Sequence, residues 1–191
     1  TLADAYNNRG LAHLDKRDYK KDADDFATAL KLNPRLVEGF MSRGVYYSFH
    51  FPRTAIEFYS KALSLDPDIG VAYTPRGNIY FEVKAYDNAI ADHTKTIALN
   101  PEWAYGYSNR AEAYCAKGDN ASAVRDVKMC IEKGGEPTGN AAILHYADQI
   151  KERPQDVKAY MGRARAYQRA NEYAKAIADW NRVTELHPKD P

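Results

Sequence analysis

Apolar and small residues recur along this chain with the spacing of one helix face, in blocks that come in pairs. The pattern is clearest between residues 72 and 101. Tyr73, Gly77 and Tyr80 stand four and then three residues apart, on one face of a helix. A turn follows, and Tyr86, Ala89, Ile90, Ile97 and Leu99 mark a second amphipathic helix. Pro101 ends it, because proline clashes with the preceding turn and disfavours helix in the residue before it. The aromatic–small–aromatic triplet returns as Tyr6, Gly10 and His13; Phe40, Gly44 and Tyr47; Tyr107, Ala111 and Tyr114; and Tyr160, Ala164 and Tyr167. The second-helix seam returns as Phe26, Ala29 and Leu30; Ala55, Tyr59, Ala62 and Leu63; Ala123, Val127, Cys130 and Ile131; and Ala176, Trp180 and Val183. Each pair is a helix–turn–helix hairpin with one apolar seam, which a lone hairpin cannot bury.

Helix-ending prolines at 34, 67, 101, 154 and 188 are separated by 33, 34, 53 and 34 residues. Hairpins are therefore expected at about 3–36, 37–69, 70–103, 104–135 and 157–190, in a single domain over 1–191. The long interval leaves room for one more helix at about 138–153, with Ile143, Ala147 and Ile150 on one face and Tyr146 beside them. The second hairpin is one residue short in its turn, so a tightened turn with Phe49 or Phe51 partly exposed is expected. Pro75 is expected to kink its helix mildly if that helix begins near Gly70. Asp22 stands where other hairpins have alanine, so the first hairpin is expected to pack less closely.

In these triplets, seams and prolines the chain resembles the tetratricopeptide repeat family, over nearly its whole length. The resemblance implies an all-α fold, a right-handed α-solenoid of antiparallel hairpins. It also implies that the first helices line a concave groove that holds a protein partner, as a peptide or a helix. Carried over helix by helix, the groove would show Asp4, Asn7, Asn8 and Leu11; then Glu38, Met41, Ser42 and Val45. Next come Thr74 and Asn78, with Val71; then Tyr105, Ser108, Asn109 and Glu112; and last Lys158, Met161, Arg165 and Arg169. One subfamily grips C-terminal carboxylates of heat-shock chaperones through Lys-x-x-x-Asn, Asn and Lys-x-x-x-Arg elements. Here only Asn8 and Asn109 match, and they match the single-Asn element.

Charge and chemistry narrow the function. Lys plus Arg number 27 and Asp plus Glu 26, a balance that argues against a nucleic-acid binder. No apolar run approaches a membrane span. Two isolated cysteines, Cys115 and Cys130, fit a reducing compartment, and Cys130 fills a small buried slot. The phosphate-loop, nucleophile-elbow, zincin and dinucleotide motifs are absent, and the histidines lack metal-ligand spacing. Neither an enzyme nor a cofactor or metal binder is expected. The expectation is an interaction scaffold, alternatively a regulatory or assembly piece of a larger enzyme or envelope-assembly protein. The last seam, at Ile177, Trp180 and Val183, lacks a covering helix, which is a route to self-association. The groove is expected to be acidic at its first hairpin and basic at its last.

An arginine precedes the small residue of every first helix: Arg9, Arg43, Arg76, Arg110 and Arg163. An aspartate recurs one residue before the second-helix seam position: Asp25, Asp92, Asp126 and Asp179. Repeat two has Phe58 there instead. Guanidinium is planar and always charged, and it pairs carboxylate through two hydrogen bonds. The arginine ladder therefore reads as a set of bridges within hairpins rather than a track for a polyanion. Arg43, the exception, is expected to turn to Glu57.

Overall fold

The computed structural model describes residues 1–15, 19–49 and 51–186. His50, Pro188 and the side chains of Asp15, Tyr19 and Asp22 lie outside what is described. The packing expected from Asp22 therefore falls outside it as well.

Every regular element among the described residues is helical, and the helices pair as the seams predict. Two compact units result, Thr1–Leu99 and Asn100–Pro191, and each is described by itself. The first holds three hairpins. These are α1 (Leu2–Asp15) with α2 (Tyr19–Leu32), α3 (Val37–Ser48) with α4 (Pro52–Leu65), and α5 (Tyr73–Glu82) with α6 (Tyr86–Leu99). The second unit holds α7 (Ala104–Lys117) with α8 (Asn120–Glu132), then α9 (Gly139–Glu152), then α10 (Val157–Arg169) with α11 (Tyr173–Leu186).

The seam works by fitting a bulky second-helix residue against a small first-helix one. Phe26 and Tyr59 are 0% and 1% exposed, and each ring packs against a glycine, Gly10 and Gly44. A Cβ on Gly44 would stand 2.7 Å from the Tyr59 ring. The connections repeat too. Tyr73 donates its hydroxyl proton to the Pro67 carbonyl at 3.0 Å, and Tyr107 does the same to Pro101 at 3.1 Å. Between paired helices the chain turns through left-handed residues at one repeat position: Lys84, Gly118 and Asn171, with φ of 63°, 92° and 59°.

Three local expectations resolve differently or more sharply. Pro75 causes no mid-helix kink. Gly70–Ala72 forms a 3-10 turn and α5 begins at Tyr73, so Pro75 falls in the first turn, where its missing N–H has no partner to lose. The short turn of the second hairpin leaves both phenylalanines outside, Phe49 at 85% exposure and Phe51 at 59%. In α9 the fully buried residues are Ala141, Ala142 and His145, while Ile143, Ala147 and Ile150 are only half-buried. The reason is that α9 packs on the α7–α8 pair on one side and on α10 on the other, so its cover is shared between two faces.

The Gly44 contact yields a test. An alanine inside a helix ordinarily stabilises it by roughly 0.5–1 kcal/mol relative to glycine. Gly44→Ala is expected to reverse that sign and destabilise the chain by about 1–3 kcal/mol, as overpacking does, measured by urea unfolding.

Candidate functional site

The arginines that precede the small residues point into their own hairpins. Arg76 donates from Nε and Nη2 to the two carboxylate oxygens of Asp92, at 2.8 and 2.7 Å. Arg110 makes the same paired contact with Asp126 at 2.7 and 2.8 Å. Arg163 makes it with Asp179 at 2.8 and 2.7 Å, and Arg9 with Asp25 at 2.7 and 2.6 Å. In all four the partners are sixteen residues apart. The aspartates are buried, at 3–5% exposure. The tyrosines of the triplet flank the guanidinium. Arg76 lies 5.8 Å from the Tyr73 ring centre and 5.7 Å from that of Tyr80, and Arg110 and Arg163 are held alike. The Arg9 guanidinium, through its hydrogen bonds, holds the Asp25 carboxyl below the usual carboxylate range.

Arg43 departs from this pattern and from the Glu57 pairing expected for it. Its guanidinium sits 4.7 Å from the centre of the Phe58 ring and 5.8 Å from that of Tyr47. Phe58 itself stacks on Tyr47 with centroids 5.4 Å apart. A cation–π contact thus occupies the place of the ion pair.

The residues expected to line a groove divide into three groups. Asn7, Ser42 and Ser108 are buried, at 4%, 6% and 2% exposure, and Met41 packs against the Tyr59 core. Thr74 is half-buried and shares a hydrogen bond with Thr96 at 3.1 Å. Met161 and Asn109 are also half-buried. The second group faces outward: Asn8, Leu11, Val45, Asn78, Tyr105 and Lys158 are exposed. Leu11 and Val45 each follow the small residue of their triplet, and Asn78 does so in the third hairpin.

The third group, all in the second unit, is engaged by the segment that enters α9. Ser108 Oγ accepts the Thr138 N–H at 3.2 Å, and the Glu112 carboxylate accepts the Ala141 N–H at 3.1 Å. Glu136 pairs with Arg165, at 3.4 Å, and with Arg169. No periodicity marked Glu136 or Thr138. The sole sequence signal was that they fall in the interval that breaks the repeat. Asp119 caps α8 by accepting the Ser122 N–H at 3.1 Å.

Family models described as tetratricopeptide repeat match residues 3–36 and 157–190. This chain carries tetratricopeptide repeats at those two stretches. A UDP-N-acetylglucosamine–peptide N-acetylglucosaminyltransferase of Giardia intestinalis is 38% identical over 64 residues, 33% of this chain and 4% of that protein. Superkiller protein 3 of Schizosaccharomyces pombe is 26% identical over 99% of this chain and 13% of its own length. The chain thus spans only a small part of both curated relatives. The solved structure of MamA from Desulfovibrio magneticus matches with a TM-score of 0.68 at 16% identity, covering 100% of this chain and 98% of that one. The fold is that of an all-α repeat solenoid, the architecture of a protein-interaction scaffold. Among the described residues no helix is long and apolar enough to cross a membrane. Among the same residues, no group of three His, Cys, Asp or Glu side chains is placed to hold a metal.

A cavity of about 310 Å³ opens between α8, α9 and residues 153–156, with His145 in its wall beside Lys128, Asp148 and Gln149. His145 is 2% exposed, and its Nε2 makes no hydrogen bond among the described residues. Burial first, and Lys128 second, push its pKa below the ordinary imidazole value, with Asp148 opposing. The unfolded chain therefore takes up this proton at a higher pH than the folded one does. Stability is expected to fall as pH drops below the unfolded value of about 6.5. The folded protein minus its His145→Gln variant isolates the contribution. Thermal unfolding across that pH range should show a slope in the former that the variant lacks.

Proposed function

We propose that this chain is a non-catalytic adaptor that holds an extended or helical segment of another protein against the exposed side of its first helices. The observation that carries the reading is the exposure of Leu11 and Val45, at 38% and 42%, on helices α1 and α3 that touch. Both occupy the position directly after the small residue, so adjacent hairpins present aliphatic side chains in register. Asn78 continues the row with an amide, able to bond a partner's backbone. A peptide whose apolar side chains meet such a row fits the helix-in-groove and extended modes of recognition.

The narrow share of the curated relatives that the chain covers supports a second reading, in which such an array is the partner-binding part of a larger assembly protein. The two readings agree on where the partner sits. A display library of random peptides, selected on the chain, tests that surface. Selected peptides are expected to lose about tenfold or more in affinity, on the order of 1.4 kcal/mol, on the double variant Leu11→Asp, Val45→Asp, with its circular dichroism unchanged. Equal affinity for the variant, or no enrichment of any peptide, would overturn the reading.

A further inference from the structure

The segment between α8 and α9 lies across side chains that the repeat pattern assigns to partner contact. Four such residues of the second unit, Ser108, Glu112, Arg165 and Arg169, already bind residues 136–141 of their own chain. The backbone of this segment is packed in place. Pro137 is buried, and a Cβ on Gly135 would collide with Ala104 and come within 2.9 Å of Cys130 Sγ. The Glu136 side chain is held differently. It is 53% exposed, and its two arginines are 50% and 42% exposed. An exposed ion pair of this kind is weak and screened by salt. Lys158 stands seven residues before Arg165 and eleven before Arg169, which places all three on one face of α10. Among the described residues Lys158 forms no ion pair, and Glu136 pairs only with the two arginines.

We propose that Arg165 and Arg169 form a recognition point for the carboxylates of an acidic protein segment, and that Glu136 is an internal competitor occupying that point. The proposal rests on the reading of the chain as a binder of protein segments, and it names the chemistry of the partner at this unit. A guanidinium pair suits planar carboxylates, and the structure holds one there. A partner with a second acidic residue about 10 Å further along would reach Lys158, at the 1.5 Å rise per residue of α10. Because the packed backbone stays put, only the Glu136 side chain has to leave. Occupancy is then set by competition between one tethered carboxylate and several on the partner.

The test uses a fluorescently labelled hexaglutamate peptide and fluorescence anisotropy on the full chain. Glu136→Gln is expected to tighten binding by about two- to fivefold, the range in which exposed ion pairs act. Removing both arginines, R165A with R169A, is expected to weaken it by about tenfold or more. In that background E136Q should bring no gain. Equal affinity of the wild type and E136Q would overturn the proposal, as would a gain that survives loss of the arginines. Tighter, arginine-dependent binding of a single-stranded oligonucleotide than of hexaglutamate would overturn it too, by assigning the cations to phosphate. If display-selected peptides still depend on Leu11 and Val45 while hexaglutamate binds none of these proteins, this inference falls and the segment-binding reading stands. If neither kind of peptide binds, the reading itself falls.

Discussion

A carboxylate buried on the second helix of a hairpin must find a cation, and the first helix supplies it sixteen residues earlier. Asp92, Asp126 and Asp179 are 3–5% exposed, and a charge so placed costs several kcal/mol if left unpaired. The guanidinium meets both oxygens, and the tyrosines three residues before and four after it close over its faces. One interaction thus ties together the register of two helices and the aromatic triplet that defines the repeat. The residue that follows the aspartate then meets the small residue that follows the arginine, as Phe26 does on Gly10 and His93 on Gly77. The second hairpin tests this logic by exception. It has lost a residue from its turn and its aspartate together, and Arg43 lies against the Phe58 ring instead.

These bridges also decide which side chains of the first helices face outward. With the arginines turned inward, the outward row consists of the residues that follow the small ones. In the first unit that row is Leu11, Val45 and Asn78, largely aliphatic. In the second it is Glu112 and Arg165, both already engaged by the segment that leads into α9. The two units therefore present different chemistry from equivalent positions of the same repeat.

Much of the fold was legible because its signals recur. Hairpin boundaries follow from the triplets and prolines, and the Arg–Asp spacing stands out because both residues return together. What does not recur was harder to read. The cover of α9 depends on two neighbours, so helical spacing alone singled out Ile143, Ala147 and Ile150, whereas Ala141, Ala142 and His145 are the ones buried. Asn7, Ser42 and Ser108, which the family resemblance assigns to the groove, are buried, since a resemblance carried over helix by helix is silent on how near the next element stands. Glu136 had no repeat equivalent at all, and only the unexplained interval pointed to its segment.

The central claim is that the arginine ladder holds hairpins together rather than offering a charged track. A double-mutant cycle on Arg163 and Asp179 tests it most directly, with Arg163→Leu, Asp179→Ala and both combined, read by urea unfolding. The account predicts that either single change costs about 3–5 kcal/mol and that the pair shows a coupling of about 1.5–3 kcal/mol. Coupling near zero, with each single change nearly neutral, would contradict it and return these arginines to the surface available for partners.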